Sequence, residues 1–329
     1  MGIISLRYSC ALELGILSGM SLGKRLLEGL LVVWAVATLA FFALRLGRVD
    51  PMAALLAQGL ATQQEAADMR RSLGLDRPLL AQYADYLSGI ARGDLGRSIF
   101  SGQEVAGMIA AAAGYTLPLA VVAWVCSVVF GIALGAIASR RDELGFRGRA
   151  GRIVSALLAV GAATPVAWYG LIFLWASVPL LSAAAGEPLR AALRLLLPAA
   201  ALALAVGSSI GRAAESSIRQ SRGEPFRLAM EAHGFPRGLR FDWRLLRASL
   251  APVLTLAGME AAFLLGGTMI TEVVFARPGL GRMLVDAILR GDYPVVQAVM
   301  ALAAAGYVCF GIVADLAAAA LDPRLREVR

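Results

Sequence analysis

Two long stretches without Asp, Glu, Lys, Arg or His constrain this chain more than any motif does. Residues 105–139 form one run of 35 and residues 153–186 another of 34. A helix needs roughly 20 apolar residues to cross the hydrocarbon of a bilayer, so each run suffices for one crossing. A composition of 59% hydrophobic and 16% charged residues over 329 positions argues against several buried core helices in one soluble globule. The chain reads as an all-α, polytopic membrane protein.

Six spans are expected, at about residues 26–46, 113–139, 153–178, 195–213, 250–275 and 294–321. Pro118, Pro165, Pro198 and Pro252 fall in or near them, which membrane helices tolerate better than soluble ones. The basic residues orient the spans. Nineteen Lys/Arg lie in the N-terminal segment, the second-to-third and fourth-to-fifth loops and the tail, against five (Arg190, Arg194, Arg277, Arg282, Arg290) in the opposite short loops. Both termini are therefore expected in the cytoplasm. The net charge of +8 follows this topology and does not signal nucleic-acid binding.

The expected organisation runs as follows. A cytoplasmic N-terminal segment (1–25) precedes the first span (26–46). Glu13 interrupts any signal-peptide core, and residues 1–19 read either as sequence ahead of a true start at Met20 or as a dispensable extension. Residues 47–112 read as a small external helical subdomain. There "QQEAADMRRSLGL" and "PLLAQYADYLSGIARG" space apolar residues helically, with Gly74 and Gly93 as stops. The five-helix core covers 113–321, with a cytoplasmic loop at 214–249 and a tail at 322–329.

Little here supports catalysis. A single histidine, His233, excludes a His-based triad within the membrane and an HExxH zinc site. Cys10, Cys126 and Cys309 have no metal-ligand spacing, and no metal site is expected. The only lysine, Lys24, is followed by Arg25 where a phosphate-binding loop needs Ser or Thr. Any energy from ATP has to come through a partner, and no cofactor is expected on this chain.

Ionisable residues inside spans point to function, because hydrocarbon penalises them. Glu260 stands in the fifth span among Gly258, Ala261, Ala262, Gly266 and Gly267. It reads equally as a cavity wall or as a partner for a neighbouring helix. Thr164, Pro165 and Trp168 could kink the third span towards a central path, with Met259 and Met269 as further candidate path residues.

The basic loop has its own punctuation. Glu224 and Pro225 suit a helix start and Gly234 a stop, bounding "PFRLAMEAH". Phe226, Ala229, Met230 and His233 fall on one face of that short helix. It would either dock in a groove of a soluble partner or lie on lipid.

An ordered set of motifs then resembles the permease subunits of ATP-binding-cassette (ABC) importers for dipeptides, oligopeptides and nickel. From Met20 onward these are "LGKRLLEGLLVVW", Asp50-Pro51, "LGLDRPLLAQYADYL", "GDLGRSI", "ATPVAWYG", "RLAMEAHG", "GGTMITEVVFARPGLGR", "RGDYPVVQA" and "DPRLRE". The resemblance implies that 225–234 is the coupling helix, with Glu224, Pro225, Phe226, Ala229, Met230, Glu231, His233 and Gly234 meeting an ATPase. Glu231 and His233 depart from the family pattern. It also implies a second, paralogous permease subunit, two ATPase subunits that bind ATP and magnesium, and an extracytoplasmic binding protein. That protein would face Phe275, Arg277, Pro278, Gly279, Gly281 and Arg282. The expected setting is a bacterial inner membrane. The short segment 179–194, "GGTMITE" and "AALDPRLRE" are similar to the nickel branch, so peptide and metal-chelate cargo both stay open. The alternative reading is an ATP-independent secondary transporter or a membrane scaffold.

Overall fold

Apolar runs broken by proline and glycine give a bundle of long helices. The computed structural model describes residues 22–47, 50–57, 59, 61–184, 186–222 and 244–321. In chain order the helices are α1 (Leu22–Leu46), α2 (Pro51–Ala57), α3 (Gln63–Ser72), α4 (Leu79–Ala91), α5 (Val105–Ala138), α6 (Phe146–Ala163), α7 (Val166–Ala183), α8 (Glu187–Arg222), α9 (Arg244–Val274), α10 (Leu280–Arg290) and α11 (Tyr293–Leu321). Among the described residues the only extended pairing is an isolated bridge between Arg97 and Glu104.

Five helices are long and apolar enough to cross a membrane alone: those covering Gly23–Leu46, Val105–Ala138, Val166–Ala183, Glu187–Ser221 and Tyr293–Val313. A sixth crossing comes from α9, whose parts Pro252–Leu264 and Gly266–Val274 meet at 49°. Among the described residues this gives five candidate spans, or six with the bent α9 as one, and three of the expected bounds differ. The third span, expected as one helix over 153–178, is two helices separated at Thr164 and Pro165. Pro165 has no N–H, and it holds Thr164 in an extended conformation with φ −85° and ψ 125°. The expected loop at 179–194 shrinks to residues 184–186, because Glu187, Arg190 and Arg194 belong to the first turns of α8. The second span begins at Val105 rather than at 113.

With 36 residues, α8 is the longest helix, about 54 Å at 1.5 Å per residue, far more than the ~30 Å core of a bilayer. It packs on α5, α6, α7 and α9. Its seam with α5 is a parallel pair of Gly-x-x-x-Gly motifs. A Cβ on Gly131 would sit 2.7 Å from the Gly207 carbonyl oxygen, and one on Gly135 would sit 2.5 Å from that of Gly211. Lipid provides no hydrophobic drive between helices, so close backbone approach of this kind supplies the packing energy. Leu119, Ala123, Leu202, Val206, Ile210, Val253 and Leu264 fill the core among α5, α8 and α9. Large apolar side chains such as Trp175, which is 82% exposed, point outward, as a lipid-facing surface requires.

A second core joins α2, the 94–104 loop, α10 and the first turns of α11 around Met52, Leu55, Ile99, Val105, Leu284 and Val296. The helices expected after the first span are α3 and α4. Thr62 and Glu65 form a reciprocal capping box at the start of α3, and Gly74 and Gly93 follow the two helices with positive φ. Tyr83 and Tyr86 of α4 lie 5.2 and 5.5 Å from the Phe41 ring of α1. Arg45 stacks over Phe41 at 3.6 Å and donates to Gln82 at 2.9 Å. The Tyr86 hydroxyl is buried without a hydrogen-bond partner among the described residues, and burial pushes its phenol up to about 12.

Two substitutions test this packing. Gly135→Val should destabilise the purified protein by ~1–3 kcal/mol or more and lower its thermal midpoint by several degrees. Gly114→Ala, which meets open space, should leave the midpoint unchanged or raise it. Tyr86→Phe removes an unsatisfied buried hydroxyl and should be neutral or stabilising by up to about 1 kcal/mol in the same thermal-shift assay.

Candidate functional site

Three buried carboxylates join segments far apart in sequence. Glu272, near the end of α9, is fully buried. Its Oε1 accepts from Thr116 Oγ1 of α5 at 2.6 Å, and its Oε2 accepts from the Gly281 amide at 2.7 Å. Thr116 Oγ1 in turn accepts from the Leu280 amide at 2.9 Å. Together they satisfy the first free N–H groups of α10 and place negative charge at its N-terminus. Nearby, burial lowers the pKa of Arg277, and the Glu272 charge pulls it back up. Arg277 Nη1 donates to the Arg194 carbonyl at 2.5 Å. Gly279 and Gly281 are needed for close approach: a Cβ on the first would overlap the Glu272 carboxylate, and one on the second the Met269 backbone.

In the "FARPGLGR" segment, Gly279 and Gly281 are buried in this joint. Pro278 is exposed, while Phe275, Arg277 and Arg282 are half-buried. Met269 also belongs here, lining an apolar cavity of about 270 Å³ with Thr116, Leu280, Gly281 and Phe310.

The second carboxylate, Asp292, precedes α11. It accepts from Ser98 Oγ at 2.5 Å and from the Ile99 amide at 3.1 Å, so "GDLGRSI" and "RGDYPVVQA" form a single contact. The third, Glu215, lies towards the far end of α8. It accepts from Ser155 Oγ at 3.0 Å and pairs with Arg141 at 3.1 Å. One turn on, Arg219 pairs with Asp142 at 2.8 Å. These contacts pin the last turns of α8 to the loop between α5 and α6, just before residue 223. Glu224, Pro225, Phe226, Ala229, Met230, Glu231, His233 and Gly234 lie outside the described residues.

Between these joints, the break at Thr164–Pro165 opens a cavity of about 320 Å³. Ala162, Thr164, Pro165, Val166, Ala205, Val206, Ser209, Glu260 and Phe263 line it. The break also frees the Gly161 carbonyl, which Pro165 cannot serve; the Tyr169 hydroxyl donates to it instead at 3.1 Å. Thr164 and Glu260 therefore share one site. Trp168 and Met259 do not line it and are 61% and 62% exposed.

The bundle of long apolar helices carries a cavity lined by Glu260, and comparison with known proteins supplies the family. Residues 131–327 match the model of the binding-protein-dependent transport system inner membrane component. Residues 20–120 match that of the N-terminal part of the same membrane component. The chain belongs to this family. It is a multi-pass inner-membrane permease of a binding-protein-dependent transport system.

This permease is 32% identical to a probable peptide ABC transporter permease of Sinorhizobium fredii, over 94% of this chain and 99% of that one. It is 31% identical to the di/tripeptide transport system permease of Pseudomonas aeruginosa and 33% identical to the glutathione transport system permease of Escherichia coli. In both cases the alignment covers 92% of this chain and 97% of the relative. The crystal structure of an amino acid ABC transporter with histidines shares the fold, at a TM-score of 0.50 and 15% identity over 64% of this chain and 92% of that one.

Sequence reading missed Glu272, Asp292 and Glu215. The Gly-x-Gly at 279–281 was the available signal for Glu272, since paired glycines mark a place where another group comes close. Glu272→Ala would leave the Gly281 amide and the Thr116 hydroxyl without their buried acceptor. The expected loss is ~3–5 kcal/mol, read as a collapse in the yield of folded protein on detergent extraction. Glu272→Gln keeps one acceptor and should fall between Ala and the parent protein.

Proposed function

We propose that this permease is one of two transmembrane subunits of an ABC importer for small peptides. The observation that carries the reading is end-to-end likeness, 32% identity over 317 residues, to a relative named as a peptide permease. Di/tripeptide and glutathione permeases match over nearly the same span, and glutathione is itself a tripeptide. Those relatives favour a short peptide over nickel or a metal chelate as cargo.

In this reading both termini are cytoplasmic, as the arginine distribution argues. The parallel seam of α5 and α8 fits a single return crossing between them, and so termini on the same side, with the arginines deciding which. Segment 47–112, with Pro278 and Arg282, faces the extracytoplasmic binding protein. The apolar face of 225–234, formed by Phe226, Ala229, Met230 and His233, docks on an ATPase subunit that binds ATP and magnesium. The ion pairs Arg141–Glu215 and Arg219–Asp142 stiffen the last turns of α8, so movement of the docked helix reaches the cavity at Thr164 and Glu260. The second, paralogous permease closes the path from the other side.

Purification from membranes of the native host tests the assembly. The tagged chain should bring down a second permease and an ATPase, and in liposomes the complex should import a labelled tripeptide only with ATP. A chain that emerges alone and transports without ATP would be a secondary transporter. Met230→Glu places a charge on the docking face and should cut ATPase recovery at least about tenfold while the second permease still co-purifies. Unchanged ATPase recovery would remove 225–234 from the interface.

A further inference from the structure

The cavity beside the α6–α7 break holds more polar capacity than the described residues use. Glu260 is the only ionisable side chain lining it, and it has no hydrogen bond or ion pair among the described residues. Ser209, facing the same space from α8, likewise has no partner there. The Thr164 hydroxyl donates to the Val160 carbonyl at 2.8 Å and keeps its lone pairs for an incoming donor. The rest of the lining is apolar: Pro165, Val166, Val206, Phe263 and two alanines. A purely apolar void stays dry and asks for nothing, whereas a carboxylate within a span is costly unless a cation or water reaches it. The location fits as well, because discontinuous helices build the substrate sites of many transporters.

We infer that this cavity is a subsite for a cationic group of the cargo, a primary ammonium, held by Glu260 with Ser209 and Thr164. An ammonium brings three donors, and these three side chains bring three acceptors, one of them charged. Phe263, Val166 and Val206 cover the carbon atoms next to it. The volume of about 320 Å³ suits one residue-sized moiety and not a whole peptide, so the site reads one end of the cargo as it passes. A free peptide carries such a group at its N-terminus. This inference rests on the importer reading above and adds a chemical preference to its path.

Reporter thiols test it without knowledge of the cargo. In the assembled transporter, Cys10, Cys126 and Cys309 are replaced by Ala, and Ser209→Cys or Thr164→Cys is introduced singly. Each thiol is then reacted with a trimethylammonium-ethyl methanethiosulfonate and with its sulfonatoethyl counterpart, with and without ATP. After normalisation to a free thiol, the cationic reagent should react at least about tenfold faster, as a focused negative charge dictates. Adding Glu260→Gln should bring the ratio close to unity. Equal rates, a ratio that survives Glu260→Gln, or a thiol closed to both reagents in every nucleotide state would each overturn the subsite. Two reporters guard against one that fails to assemble. Failure to co-purify with an ATPase contradicts the importer reading; a transporter that assembles without charge preference contradicts the subsite alone.

Discussion

Hydrocarbon offers no water to an unpaired N–H or C=O, so every backbone group within a span must find its partner in the protein. That constraint explains why five of the six crossings contain a long unbroken helix, and why the departures cluster. The break at Thr164–Pro165 is tolerable because the Tyr169 hydroxyl replaces the missing proline N–H on the Gly161 carbonyl. The bend of 49° in α9 follows immediately after Leu264, one residue beyond Phe263 of the same cavity wall. Irregular backbone thus gathers beside the cavity that Glu260 lines.

The same constraint places the buried acids. Glu272 and Asp292 sit where α10 and α11 begin, and their oxygens serve amides and hydroxyls that would otherwise be orphaned. Glu215 lies at the other end of the bundle, where Arg141 and Ser155 surround it. Between these ends the α5–α8 glycine seam brings two backbones into contact over Gly131, Gly135, Gly207 and Gly211. Close approach of this kind leaves α5 and α8 little room to slide past each other.

Much of this was legible in the residue order. Uncharged runs marked the crossings, Pro165 marked the third span, and Gly74 and Gly93 marked the ends of α3 and α4. Bounds are less legible, because a charged residue need not end a helix. Glu187, Arg190 and Arg194 instead extend α8 past the hydrocarbon as helix. Glu260 could be singled out because an acid in an apolar run stands alone. Glu272 and Asp292 lie beside ordinary loops, and their partners are 156 and 194 residues away, a pairing no local pattern encodes.

The central claim is that the break at Thr164–Pro165 and the acid at Glu260 face a shared passage in an assembled transporter. Cryo-electron microscopy of the complex in a lipid nanodisc tests it most directly. The account requires the Glu260 face of α9 to look towards the second permease, across a water-sized passage that also touches Thr164 and Ser209. A structure in which Glu260 faces lipid, or is sealed between α8 and α9 with no route to either side, would contradict it.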